Sequence, residues 1–227
     1  MKELTAEAVL IHTGDADLPA DLIVPAAATG LVLFAHGSGS SRLSPRNRQV
    51  ASMLNAAGIG TLLFDLLTPG EDIGLAGRFD IGLLSGRLLA ATESVASLLH
   101  ERRLCLGYFG ASTGAAAAIR AAAQPPPRVR IAAVVSRGGR VDLAGHEALC
   151  QLRAPTLMIV GEADPEVLKL NARATAWMQC EKRLEVIPGA THLFEETGAL
   201  ERVGQLAVQW FQQHFAVAPG KDPAHSN

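Results

Sequence analysis

The stretch that most constrains this chain is Leu104 to Ala118, LCLGYFGASTGAAAA. Leu104 to Phe109 is mostly apolar and predicts a strand buried on both faces. Gly110-Ala111-Ser112-Thr113-Gly114 follows, and the alanine-rich run Ala115–Ala123 predicts a helix. Strand, Gly-x-Ser-x-Gly, helix is the arrangement of a nucleophile elbow. A serine on so sharp a turn has its hydroxyl lifted off the sheet edge. The glycines let neighbouring backbone come close, and the helix points its positive end at the place where an oxyanion would develop. Gly-x-Ser-x-Gly also arises by chance as a plain Gly-rich turn, so the flanking strand and helix carry the weight.

Read in order, the rest of the chain supplies a sheet for that elbow. Glu7–His12 and Ala20–Pro25 predict two short strands without a helix between them, hence an antiparallel edge. Gly30–Ala35, GLVLFA, predicts a third strand running into His36-Gly37-Ser38-Gly39. Pro45–Ala57 has helical spacing, with Ser44 as N-cap and Pro45 as first helical residue. Ile59–Leu67 predicts a buried strand, Thr68–Arg78 a loop, and Phe79–His100 one long helix. After the elbow come a strand at Ile131–Val135, a helix at Val141–Leu152 and a strand at Thr156–Val160. A helix at Leu168–Met178, a strand at Arg183–Ile187 and a last helix at Ala199–Phe215 follow. Strands alternating with helices imply right-handed βαβ units and a mainly parallel sheet with helices on both faces. The reading is an α/β fold in a single domain over residues 1–227, with 216–227 a frayed tail.

Composition narrows the function classes. The chain has 227 residues, 48% of them hydrophobic, enough for one domain with a substantial core and too many for disorder. A net charge of −2 gives no basic field for nucleic acid. No apolar run is long enough to span a bilayer, and the first residues lack the apolar stretch of a signal peptide. Three scattered cysteines, Cys105, Cys150 and Cys180, make no disulfide framework. The expectation is a cytoplasmic protein, monomer or homodimer, with no nucleic-acid or membrane partner.

Sites in such sheets lie beyond the C-terminal strand ends, and four strand ends here carry suggestive residues. GLVLFA leads to His36-Gly37-Ser38-Gly39, LCLGYF to Ser112, TLMIV to Asp164 and RLEVI to His192. A neutral serine hydroxyl needs a base to take its proton. His192 can do so near neutral pH, and a carboxylate must hold the imidazole in the right tautomer. Asp164 is the expected carboxylate; Glu162 competes two residues earlier, and Asp142 is the next candidate. The backbone N–H groups of Ser38 and Thr113 are assigned to the oxyanion. HGSGSS lacks the Gly-Lys-Ser/Thr ending of a phosphate loop. Arg137 and Arg140, in SRGGR, are candidates for a substrate carboxylate; a structural arginine in that turn is the other reading.

These residues resemble the α/β-hydrolases, whose triads run Ser, Asp, His in chain order, and most closely the dienelactone hydrolase family. The likeness covers about residues 20–216. Its most distinctive pieces are HGSGSSRLSPRN (36–47), LLFDLLTPGE (62–71), GYFGASTGAAAA (107–118), VVSRGGR (134–140), VGEADPEV (160–167) and PGATHLFEE (188–196). It looks like the subgroup sometimes found joined to phosphoribosyltransferase domains. Dienelactone hydrolases proper use a cysteine nucleophile, so Ser112 favours general ester chemistry. The resemblance implies the α/β-hydrolase fold and a hydrolase without cofactor or metal. The expected activity is cleavage of short-chain carboxylic esters or lactones through an acyl-enzyme. The alternatives are acyl or thioester transfer, or a non-catalytic binding module on the same scaffold. Ser136–Pro155 and Thr68–Asp80 are too short for a lid domain. A shallow, loop-walled pocket for small acyl groups is therefore expected.

Overall fold

The computed structural model describes residues 5–216. Eight strands form one sheet: β1 (Glu7–Thr13), β2 (Ala16–Ile23), β3 (Gly30–Ala35), β4 (Gly60–Phe64), β5 (Cys105–Ala111), β6 (Ile131–Arg137), β7 (Thr156–Gly161) and β8 (Lys182–Ile187). Their order is β1-β2-β4-β3-β5-β6-β7-β8. β1 pairs with β2, and β2 with β4, in antiparallel sense; all other pairs are parallel. The mainly parallel sheet and its antiparallel N-terminal edge are as expected.

Eight α-helices accompany the strands among the described residues: α1 (Pro45–Ala56), α2 (Leu75–Phe79), α3 (Ile81–Ser94), α4 (Ala96–Arg102), α5 (Thr113–Ala123), α6 (His146–Gln151), α7 (Pro165–Thr175) and α8 (Ala199–Phe215). Strand alternation sorts the core into two layers. In β3, Leu31, Leu33 and Ala35 face α3 and α5, while Val32 and Phe34 face α1 and α8. The small residues of α5 let it lie close to the sheet, with Ala115 to Ala118 fully buried. On the opposite face α8 contributes Trp210, Phe211 and Phe215.

Three helical expectations are corrected. Phe79–His100 is not one helix. Asp80 caps α3, its carboxylate accepting the Leu83 N–H at 2.9 Å. At the other end α3 stops at Ser94, two residues past Thr92, whose hydroxyl bonds the Leu88 carbonyl and the Tyr108 hydroxyl. A hydroxyl bonded back four residues slightly destabilises a helix, and Tyr108 ties this one to the sheet just before the break at Val95. Val141–Leu152 is likewise split. A 3₁₀ turn over Val141–Ala144 ends at Gly145, whose φ of 87° a residue with a side chain adopts only under strain, and α6 follows. Thr68–Arg78 is not all loop: Glu71–Ile73 is a 3₁₀ turn and α2 follows it. Neither of those two turns buries a residue. The frayed tail expected over 216–227 falls, beyond Ala216, outside the described residues.

No helix among the described residues is long and apolar enough to cross a membrane.

Candidate active site

The elbow forms because two glycines admit backbone where no side chain would fit. A Cβ on Gly110 would lie 2.4 Å from the Ala115 Cα, and one on Gly114 would lie 2.1 Å from the Ala35 carbonyl oxygen. β5 can therefore turn directly into α5 with the turn pressed against the end of β3. Ser112 sits at that turn with φ 50° and ψ −119°, a strained conformation for a residue with a Cβ. Its peptide N–H donates to the Arg137 carbonyl at 3.1 Å, and its carbonyl accepts from Ala115 and Arg140. The side chain is left half-exposed at the sheet edge.

The Ser112 hydroxyl lies 3.3 Å from His192 Nε2, and His192 Nδ1 lies 2.6 Å from Asp164 Oδ2. Residues 80 and 28 positions apart in sequence are thus joined in one hydrogen-bonded chain. Asp164 precedes α7 and makes no side-chain cap to it, so its carboxylate is free for the imidazole. Glu162 points elsewhere: its Oε2 accepts the Gly189 N–H at 2.8 Å. Asp142 is taken up by Arg140. Of the three carboxylates considered from sequence, the structure brings only Asp164 to His192.

His192 is seated on the SRGGR turn. A Cβ on Gly138 would come within 3.1 Å of the His192 carbonyl oxygen and 3.4 Å of its ring. Asn171, fully buried on α7, donates to the Gly139 and Val167 carbonyls at 2.8 Å each and pins that turn to the helix. The sequence reading missed Asn171; a polar residue at a core-facing helical position was the available signal.

Ser38 and Thr113 flank Ser112. Thr113 is the first residue of α5, and Ser38 lies in the exposed loop after β3. Gly37 holds that loop close, since a Cβ there would lie 3.1 Å from the Ala111 carbonyl oxygen and the Ser112 Cβ. His36 ties it down from below. Its Nε2 accepts the Leu66 N–H at 2.9 Å, which leaves Nδ1–H to donate to the Gly37 carbonyl at 3.0 Å. Burial pushes the His36 pKa below its ordinary 6.5. The imidazole is therefore neutral at neutral pH, as an acceptor at Nε2 requires.

A small, shallow recess opens beside this loop, lined by Gly37, Ser38, Gly39 and Thr113 on one side and Leu67, Asp72, Arg78 and Leu84 on the other. Arg78 donates through Nε to Asp72 Oδ1 at 2.8 Å and through Nη2 to the Asp72 carbonyl. Its Nη1 lies over Gly39, 3.4 Å from where a Cβ would sit. The wall carrying Asp72 is clamped by buried Arg87. That guanidinium donates to Glu71 Oε1 and Asp15 Oδ2 at 2.9 Å and to Thr13 Oγ1 at 3.0 Å. Sequence reasoning did not single out Asp72, Arg78 or Arg87, whose roles arise from how the 68–80 segment folds back on the site.

The two arginines proposed from sequence lie elsewhere. Arg140 is committed to Asp142 through Nε and Nη2. Arg137 is buried at the end of β6, on the sheet face covered by α1 and α8. Neither lines the recess. Among the described residues no group of three or more His, Cys, Asp or Glu side chains is placed to hold a metal ion.

The chain is 52% identical to dienelactone hydrolase from Anabaena variabilis, whose crystal structure matches with a TM-score of 0.87 over 93% of this chain and 98% of that one. It is 53% identical over 217 residues to a Mycobacterium tuberculosis protein named as a candidate phosphoribosyl transferase. That match covers 96% of this chain and 48% of the relative, so the chain spans about half the relative's length. Est1E from Butyrivibrio proteoclasticus, 17% identical, shares the fold with a TM-score of 0.74 over 92% of this chain and 99% of its own. No protein-family model matches the chain.

Proposed function

The chain belongs to the dienelactone hydrolase family and is an enzyme of the α/β-hydrolase kind, and from that premise we propose that it cleaves short-chain carboxylic esters or lactones through an acyl-enzyme on Ser112. The observation that carries this reading is the hydrogen-bonded chain from the Ser112 hydroxyl through His192 to Asp164. As the Ser112 oxygen attacks the carbonyl carbon, its proton passes to His192 Nε2. Asp164 stabilises the imidazolium from the other side without taking the proton. The Ser38 and Thr113 N–H groups receive the negative oxygen, helped by the positive end of α5. Collapse breaks the bond to the leaving oxygen, which takes the proton from His192. Water then repeats the sequence on the acyl-enzyme and frees Ser112. For a lactone, the leaving oxygen stays tethered to the acyl group, so the acyl-enzyme carries a free hydroxyl and the second step releases a single hydroxy acid.

The recess beside Ser38 and Thr113 is narrow, which counts against a long acyl chain and in favour of a short one. Leu67 and Leu84 supply apolar surface, while the free Arg78 Nη1 favours an acyl group with a polar or anionic end. The name of the mycobacterial relative belongs to a protein about twice as long. For the half matched here, the serine–histidine–aspartate chain supports hydrolysis.

The test is labelling by a fluorophosphonate, read by mass spectrometry, beside hydrolysis of p-nitrophenyl acetate. Wild type should be labelled at Ser112 and turn over the ester. Ser112→Ala should lose both while keeping its circular dichroism. Labelling at Ser38 or Ser40, or activity retained in Ser112→Ala, overturns the proposal.

A further inference from the structure

One buried charge is not used by the chemistry above. Arg137 pairs in register with Ala111 on β5 and Ile159 on β7, so its side chain shares their face, the one covered by α1 and α8. The residue is 8% exposed, and its Nη1 is buried without an acceptor. The charged group acting on it is another cation, Arg46, at the start of α1. Arg46 is itself only partly satisfied: its Nη1 bonds Glu195 Oε1 at 3.1 Å, and its Nε is buried without a partner. Burial first, and the Arg46 charge second, hold the Arg137 pKa down to about 10, which leaves it protonated at neutral pH. A buried guanidinium without an acceptor is destabilising. Two such groups with open donors favour a ligand that supplies both charge and lone pairs.

Place sharpens the point. Arg137 adjoins Gly138, the residue that touches the His192 ring, and its own carbonyl receives the Ser112 N–H. The pair therefore lies on the His192 side of the site, away from the recess lined by Ser38, Gly39 and Arg78. We propose that Arg137, assisted by Arg46, binds an oxyanion, a phosphate or carboxylate group, at a subsite separate from the acyl recess. The oxyanion is either carried on the alcohol half of the substrate or bound as a free ion. Only the substrate source rests on the proposed hydrolase activity.

Inorganic phosphate is the probe, titrated by calorimetry at constant ionic strength into wild type, Arg137→Met and Arg46→Gln. Wild type should bind phosphate with a dissociation constant in the millimolar range or tighter. Arg137→Met should weaken it by about tenfold or more, the scale of losing a charge-assisted hydrogen bond. Without phosphate, Arg137→Met should melt no lower than wild type, because an apolar residue replaces an unpaired buried cation. Should Arg137→Met fail to fold, Arg46→Gln decides at a more exposed position, where a several-fold loss is expected. No binding by wild type, or equal binding by the variants, overturns the proposal. An acetate ester with a phosphate on its alcohol half is then compared with its neutral counterpart. A preference for the phosphorylated ester that disappears in Arg137→Met assigns the oxyanion to substrate. Equal turnover with phosphate binding intact assigns it to a free ion. Arg137-dependent phosphate binding by a protein inert toward esters and fluorophosphonate would count against the hydrolase reading and leave the subsite standing.

Discussion

Asp164→Asn tests the proposed chemistry with the least disturbance to the fold. The change is nearly isosteric, at a position whose side chain is 15% exposed and makes its one strong contact, 2.6 Å, with His192 Nδ1. In the wild type Nδ1–H donates to the carboxylate, so Nε2 is unprotonated and faces the Ser112 hydroxyl. An asparagine can present its NH₂ to Nδ1. That stabilises the tautomer with the proton on Nε2, and a protonated Nε2 cannot accept from serine. The substitution also removes the charge that stabilises the imidazolium. Loss of these effects together lowers kcat by about 10⁴-fold in triads of this kind, which is about 5.5 kcal/mol of transition-state stabilisation. KM should change little, because Asp164 does not line the recess. Glu162→Gln is the internal control. It alters only the bond to the Gly189 N–H on an exposed side chain and should cost less than about threefold. Steady-state hydrolysis of p-nitrophenyl acetate reads both variants. A loss in Asp164→Asn smaller than tenfold, or a larger loss in Glu162→Gln, refutes the reasoning.

Four further outcomes are expected. Gly114→Ala places a Cβ 2.1 Å from the Ala35 carbonyl oxygen, so it should displace the loop bearing Ser38 and lower the melting temperature by several degrees; a variant as stable and active as wild type would show that the elbow does not need this close approach. Across p-nitrophenyl esters, kcat/KM should stop rising within a few carbons, in contrast to about 0.8 kcal/mol gained per CH₂ that is truly buried. Arg78→Ala should reduce activity on acyl groups ending in a carboxylate more than on neutral ones, and a continued rise to long chains, or an equal effect of Arg78→Ala on both, counts against the recess as acyl site. Lastly, His36 is held below its ordinary 6.5 by burial, so as pH falls below about 6.5 the unfolded chain takes up a proton that the folded chain resists. Stability to urea should fall between pH 7 and pH 5, and His36→Gln should flatten that dependence, leaving the same-signed share of His214, whose pKa burial also lowers.

How much of this could be read from the chain alone follows from what each feature depends on. The elbow was legible because its geometry is local: glycines at 110 and 114, an apolar strand before and alanines after. Asp164 and His192 were legible because an α/β sheet gathers strand ends at one edge, so a polar residue just past each end is brought near Ser112. The sequence favoured Asp164 with Glu162 as competitor; in the structure Glu162 is taken away by the Gly189 N–H. The break at Val95 comes just after Thr92, whose hydroxyl meets Tyr108, sixteen residues on and in another layer, and no helical periodicity records such a contact. The burial of Arg137 was hidden for a similar reason. SRGGR reads as a polar turn, yet Arg137 is the last residue of a strand whose face is covered by α1 and α8.

The segment from Glu71 to Phe79 buries nothing in the core and is held by side-chain polar contacts, Arg87 with Glu71 and Arg78 with Asp72. Its detachment therefore exposes almost no apolar surface, and its amides should exchange with solvent far more readily than those of β5 or α5. The wall proposed to meet the acyl group is thus thermodynamically separable from the scaffold that holds Ser112, His192 and Asp164. Insertions and replacements between Thr68 and Asp80 can reshape substrate preference without drawing on the stability of the sheet, so variation among related chains, and any effort to redirect this one, should concentrate there.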